Sequence, residues 1–301
     1  MQPPTPHELL DRVRALPQGA LLLDALAGVD GAHLVGGAVR DLMLAGDPQD
    51  FDVVVEGDAV AAAEVAAERL GGAAVAHERF GTATIVASTL RFDLAGARSE
   101  RYVHPGALPE VTASSLDADL ARRDFTVNAL AMALDGPEPG RLRAAPGGLE
   151  DLAARRLRVL HDASFTDDPT RLLRLVRYAA RLSFAIEPHT YELAVRALDA
   201  GALGTVSTPR IGDELMHLMR ETRAPAALRL AAELRLDHRL HRDLRFDAAL
   251  AADVLALLPP GARRDLALLA VTARQLGREE LRAWLDELQV SAAARDVVLA
   301  A

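Results

Sequence analysis

Near residue 140 the chain changes its period. Before that point, short apolar and β-branched runs alternate with glycine turns; beyond it, helical spacing continues to the end, broken by Pro188, Pro209 and Pro259-Pro260. This pattern predicts an α+β chain. An N-terminal head of mixed β-sheet with helices is expected over residues 1–140, followed by an all-α C-terminal region. That region divides into a helical neck over 141–215 and a short helical body over 216–301. A chain of 301 residues has enough material for more than one core. The first thirty residues hold no long apolar run, so no signal peptide or membrane span is read, and a cytoplasmic location is expected. The absence of cysteine excludes disulfides, zinc–thiolate sites and cysteine nucleophiles.

Within the head, residues 7–28 read as one helix. His33-Leu34-Val35 is a strand that enters a Gly36-Gly37 turn, and a short helix follows to Leu44 and stops at Gly46-Asp47-Pro48. Phe51 to Val55 reads as a buried strand, and 59–70 as an alanine-rich helix closed by Gly71-Gly72. Further strands are expected near 82–88 and 90–95.

Asp50 and Asp52 flank Phe51, and the two-residue strand period puts both carboxylates on one face. Taken alone, such a pair is more often a solvated strand end. Its surroundings favour chemistry. Gly36-Gly37 precedes a helix whose first amides suit phosphate, and Arg40 lies one turn in, placed to neutralise a triphosphate. Two hard oxygen ligands suit Mg²⁺, and two such ions activate an attacking hydroxyl and stabilise leaving pyrophosphate. Asp93 is the candidate third carboxylate. In Leu90-Arg91-Phe92-Asp93-Leu94 the apolar residues alternate, which puts Asp93 on the polar face, either as a ligand or as a surface acid.

The run Leu34-Val35-Gly36-Gly37-Ala38-Val39-Arg40-Asp41, followed by Asp50-Phe51-Asp52-Val53-Val54, resembles the signature of class II tRNA nucleotidyltransferases and bacterial poly(A) polymerases. These belong to the DNA polymerase β superfamily. Arg122-Arg123-Asp124-Phe125-Thr126-Val127-Asn128-Ala129 is similar to that family's second motif and contains the only asparagine of the chain. The resemblance implies that Arg123, Asp124 and Asn128 hold the ribose. It implies template-independent addition to the tRNA 3′ end, with ATP alone or ATP and CTP as substrates, and two Mg²⁺ ions; no obligate protein partner is expected.

Asp167-Asp168-Pro169-Thr170-Arg171 resembles the family's base-selecting motif, with Asp167 standing where glutamate is usual. Thr166 is expected to cap the helix that follows. Cytosine and adenine each present an amino donor beside a ring-nitrogen acceptor, which Asp168 and Arg171 match; the plain alternative is a helix salt bridge. Arg171, Arg174, Arg177 and Arg181 fall within an arc of roughly 120°. This stripe is either a nucleotide or RNA contact, with Arg174 the next nucleotide candidate, or a solvated face.

The formal charge of −9 means that any RNA-binding groove is local, and the chain has no lysine for a lysine-dependent phosphate loop. A poly(A) polymerase shares the head but is expected to carry a basic RNA-tracking extension. A non-catalytic RNA-binding protein on the same fold would most simply lack Asp50 or Asp52, and both are present. Ala145-Pro146 stands where the family commonly has Asp-Pro. Pro105-Gly106-Ala107-Leu108-Pro109 resembles A-adding members, so addition of a single A to tRNA ending in CC is expected.

Overall fold

The computed structural model describes residues 4–48, 50–77, 81–87 and 90–301. The chain forms two compact units, Met1–Arg101 with Pro109–Ala154, and Tyr102–Leu108 with Arg155–Ala301.

The first unit opens with α1 (Pro6–Ala15) and α2 (Pro17–Leu26). The sequence reading joined these over 7–28, and Pro17 separates them. Leu16 sits at φ −90°, ψ 126°, the extended conformation that a following proline imposes. Pro17 then begins α2, where its missing N–H has no helical partner to lose. The chain continues through β1 (Ala32–Val35), α3 (Gly37–Met43), β2 (Asp52–Val55), α4 (Ala59–Arg69), β3 (Ala73–His77), β4 (Thr82–Ala87) and β5 (Leu90–Gly96). Residue 88, the expected end of one strand, lies outside the described residues. After these come β6 (Arg98–Arg101), β7 (Glu110–Ala113), α5 (Leu116–Ala121), β8 (Leu130–Ala133), β9 (Leu142–Ala144) and α6 (Gly148–Ala153).

Seven strands form one mixed sheet in the order β3-β4-β5-β2-β1-β8-β9. Only the β2–β5 contact in it is parallel; its other pairs are antiparallel. The alternation along β5 is as expected, with Phe92 and Leu94 buried while Arg91 and Asp93 are exposed. Ala59, Ala62, Ala63, Ala66 and Ala67 make the buried face of α4, and Asp58 caps it by accepting from the amides of Val60 and Ala61 at 3.0 Å. β9 pairs with β8, and Asp151 of α6 accepts from the Thr126 hydroxyl at 2.9 Å. These attachments carry the first unit to Ala154, beyond the expected boundary at 140.

The second unit holds β10 (Arg156–Leu157), α7 (Ser164–Asp167), α8 (Arg171–Leu182), β11 (Ala185–Ile186), α9 (Pro188–Asp199), α10 (Thr208–Arg220) and α11 (Ala224–Glu233). It ends with α12 (Leu236–Leu240), α13 (Ala248–Leu257), α14 (Arg264–Thr272), α15 (Arg278–Glu287) and α16 (Ala292–Ala300). Leu172, Leu173, Leu175 and Val176 of α8 are fully buried, which anchors this helix against α10 and α11. Its arginine stripe is not an open basic face. Arg174 and Arg177 donate to Glu214 of α10 at 3.0 and 3.2 Å, while Arg177 and Arg181 reach Glu221 just beyond it. Tyr178 packs its ring under the Arg177 guanidinium at 4.8 Å. Two acids from elsewhere in the chain thus use the charge that the sequence left available for RNA. No helix among the described residues is long and apolar enough to cross a membrane.

Candidate nucleotide and metal site

The Gly36 turn shows why glycine is required there. Gly36 lies at φ 68°, ψ −129°, and a Cβ on it would stand 2.8 Å from Nη1 of Arg123. The turn therefore lets the Arg123 side chain lie directly over the backbone between β1 and α3.

Asp50 is exposed ahead of β2, Asp52 is its first residue, and Phe51 between them is buried against Phe92, with ring centroids 6.5 Å apart. Asp52 and Asp93 are register partners across the parallel β2–β5 pair, so their side chains share one face. Both line a cavity of about 380 Å³ with Val35, Thr84, Arg122 and Arg123. Thr84 donates to Asp93 Oδ1 at 2.6 Å, and Arg91 Nε lies 3.8 Å from that oxygen. Asp52 is open to water at its tip but has protein on most sides. This loss of hydration raises its pKa above the ordinary carboxylate value; Arg123 opposes the rise, and the charges of Asp50 and Asp93 add to it.

These residues fit a divalent cation. Hard carboxylate oxygens gather on one face of a cleft, and their mutual repulsion is relieved when a cation binds. Among the described residues they do not form a group of three ligand atoms within 4.8 Å; His241, Asp243 and Glu280 do. The latter cluster is partly neutralised already, because Arg242 donates to Asp243 at 2.9 Å and lies 3.8 Å from Glu280.

The second motif is divided between cleft and interior. Arg123 faces the cavity. Asp124 and Asn128 are buried, where Asp124 Oδ1 accepts from the Phe125 amide at 2.8 Å and from Asn128 Nδ2 at 3.0 Å. Arg40, expected to meet a triphosphate, is only 3% exposed, and its guanidinium donates to Asn128 Oδ1 at 2.6 Å and to Asp41 at 2.8 Å. In this structure Arg40 and Asn128 hold the glycine turn and the second motif together. Asn128→Ala is therefore expected to lower unfolding free energy by about 1–3 kcal/mol, since it strips a buried guanidinium of an acceptor. An unchanged midpoint in urea unfolding would contradict this.

Asp119 was missed in the sequence. It is fully buried in α5, and burial raises its pKa, yet the Arg123 and Arg122 guanidiniums outweigh this and hold it below the usual value. Its position four and three residues before the two arginines was the available signal.

In the second unit, Thr166 does not cap the base-motif helix, because it lies within α7. Asp168 breaks the chain at φ −131°, ψ 91°, and its Oδ1 accepts from the Thr170 amide at 3.2 Å and the Thr170 hydroxyl at 2.7 Å. Asp168 thus closes a local turn onto Thr170, the residue ahead of α8, and no side chain caps α8 itself. Arg171 is 4% exposed and donates to Ser164 Oγ at 2.7 Å, while Asp167 lies 3.9 Å from His161 Nδ1. Two further residues join this motif unannounced. Arg210 donates to Asp168 Oδ1 at 2.8 Å and to the Gly106 carbonyl at 3.1 Å, and the Gly106 amide donates to the Asp167 carbonyl at 3.2 Å. A Cβ on Gly106, which has φ +71°, would meet Thr205 at 2.4 Å. Gly106, within the segment that the sequence singled out, therefore packs beside the base motif.

A mixed sheet that sets Asp52 beside Asp93 in one cleft, with Asp50 just ahead of β2 and a glycine turn after β1, is the arrangement of a nucleotidyltransferase head, and residues 32–158 match the poly A polymerase head domain. An A-adding tRNA nucleotidyltransferase of Geobacter sulfurreducens is 41% identical over 241 residues, which cover 78% of this chain and 27% of that protein. A CC-adding tRNA nucleotidyltransferase of Deinococcus radiodurans is 43% identical over 198 residues, 65% of this chain and 52% of that protein. The solved CCA-adding enzyme of Thermotoga maritima in complex with tRNA superposes with a TM-score of 0.81 at 30% identity, over 99% of this chain and 73% of that one. The chain belongs to the class II tRNA nucleotidyltransferase family. It spans about a quarter and about half the length of the two curated relatives. The family membership implies use of divalent metal.

Proposed function

We propose that this chain adds nucleotides to the tRNA 3′ end from ATP, releasing pyrophosphate. The observation that carries the reading is the register pairing of Asp52 with Asp93 in a cleft lined by Arg123, with Asp50 two residues before Asp52. Asp50 and Asp52 would hold Mg²⁺, two ions in all, with Asp93 as third carboxylate. The metal supplies charge neutralisation at the reacting phosphate and lowers the pKa of the attacking hydroxyl. The residues do the placing. Gly36 and Gly37 keep the turn low enough for a triphosphate to approach the first amides of α3, and Arg123 balances phosphate charge above it. Asp124 and Asn128 set the floor on which the sugar rests.

The domain organisation proposed with this function is a catalytic head, a neck that carries base recognition, and a helical body that holds tRNA. Asp168 accepts from the amino group shared by adenine and cytosine, and Arg171 donates to the neighbouring ring nitrogen. Asp167 and Arg174 border that contact.

The product proposed is a single A on tRNA ending in CC. A pocket restricted to one base needs no reshaping, and Arg210 and Thr170 already fix Asp168 in one geometry. Purified protein incubated with tRNAs ending before CC, after CC and after CCA tests this. Preferential use of the CC end with ATP is expected. Efficient synthesis of the whole CCA triplet overturns the A-adding assignment and leaves the metal site standing.

A further inference from the structure

Asp119 stands outside the proposed chemistry, yet it is fully buried and bound on both oxygens. Its Oδ1 accepts from Arg122 Nε and Nη2 at 3.0 and 2.7 Å, and its Oδ2 from Arg123 Nε and Nη2 at 3.2 and 2.9 Å. One carboxylate therefore grips two adjacent guanidiniums by the same edge of each. Arg122 is held at its other end by Glu100, at 2.6 Å from Nη1. Among the described residues Arg123 has no such second acceptor; its Nη1 lies over the Gly36 turn, and the residue lines the cavity with Asp52 and Asp93.

A mobile guanidinium in that position has an obvious destination. Asp52 and Asp93 are carboxylates in the same small cavity, and a guanidinium pairs with a carboxylate through short, charge-assisted hydrogen bonds. Such a pair would occupy the oxygens that a cation needs. The Nε and Nη2 donors of Arg123, which make the strongest side-on contact to a carboxylate, are already committed to Asp119.

We propose that Asp119 is a positioning residue that holds Arg123 away from the cleft aspartates and so keeps them available to a divalent cation. The inference rests on the reading of the cleft as a cation site. Glu100 serves the same end by steadying Arg122, so that one of the two guanidiniums sharing Asp119 is itself fixed.

The test is Mn²⁺ binding to the full chain at neutral pH, read from loss of the free-ion electron paramagnetic resonance signal. The site of interest is the binding that Asp52→Asn removes. Asp119→Asn is expected to weaken that site about tenfold or more, the usual effect of losing a group that orients a metal's surroundings. Adding Arg123→Gln to Asp119→Asn is expected to restore wild-type affinity or better, because the intruding charge is gone. Merely structural damage would not be repaired by a second substitution. Equal Mn²⁺ affinity in Asp119→Asn, or no recovery in the double variant, overturns the proposal. If Asp119→Asn does not fold, Arg123→Gln alone decides, with unchanged or tighter binding expected and weaker binding overturning it. A wild-type chain with no Asp52-dependent binding overturns the cation-site reading together with this inference.

Discussion

Asp52→Ala is expected to lower kcat/KM for nucleotide addition by about a thousandfold or more, the consequence of losing several kcal/mol of metal-assisted stabilisation in the transition state. The fold should survive, because Asp52 stands at the open end of β2 while Val53, Val54 and Val55 make its buried contacts. Asp50→Ala should behave alike. Near-wild-type turnover by either variant in Mg²⁺ would remove the metal assignment. The raised pKa of Asp52 adds a second, independent reading. A carboxyl whose folded pKa lies above its unfolded value binds more protons when folded, so stability falls as pH rises through that range. At neutral pH the ionised group therefore opposes folding of the metal-free chain. Asp52→Asn should raise its melting temperature by about a degree or two, the effect being small because water screens the open cleft. Divalent metal should stabilise the wild type and leave the variant less affected. A lower melting temperature for Asp52→Asn without metal would show that the carboxylate is structural.

The second large effect is expected at Asp168. Its Oδ1 gathers the Thr170 amide, the Thr170 hydroxyl and Arg210, so one oxygen is fixed by the protein and the carboxylate plane with it. Asp168→Asn preserves size but replaces an acceptor with a donor at one of the two positions. If the carboxylate reads the amino group of adenine, selectivity for ATP over UTP and GTP in kcat/KM should fall about ten- to hundredfold, equivalent to ~1–3 kcal/mol for one base-edge contact. Arg210→Ala should shift selectivity the same way by less, since Thr170 still restrains Asp168. A drop in melting temperature with unchanged ratios among the four nucleotides would leave Asp168 a structural role alone, in the Thr170 turn and the ion pair with Arg210.

What the sequence made legible was local. The Gly36-Gly37 turn, the strand expected over Phe51 to Val55 and the polar face of β5 follow from alternation and backbone permissiveness; the turn and β5 are as expected, and the strand starts one residue later, at Asp52. β8 escaped notice because Leu130-Ala131-Met132-Ala133 has no alternation to separate strand from helix. The partners of the arginine stripe escaped notice for a different reason. Glu214 and Glu221 lie about forty residues away, and no spacing rule along α8 reveals them. Arg40 was read as a ligand-facing cation because its distance from Asn128 along the chain, 88 residues, hid the bond between them. Side-chain types at a site can be read from a motif; which of them face the ligand and which brace the others depends on contacts made across the fold.

The seven residues from Tyr102 to Leu108 belong to the second unit although β6 and β7 on either side belong to the first. The bond from Arg210 to the Gly106 carbonyl spans 104 positions. A ribosome therefore delivers this stretch well before the helix that fastens it, and the first unit must mature with part of its own hairpin still untethered. Nor does the contiguous stretch that encodes the helices encode the whole helical unit. Any recombination that carried Arg155–Ala301 into another protein as a self-contained cassette would leave Thr205 and Arg210 facing a gap where Gly106 belongs.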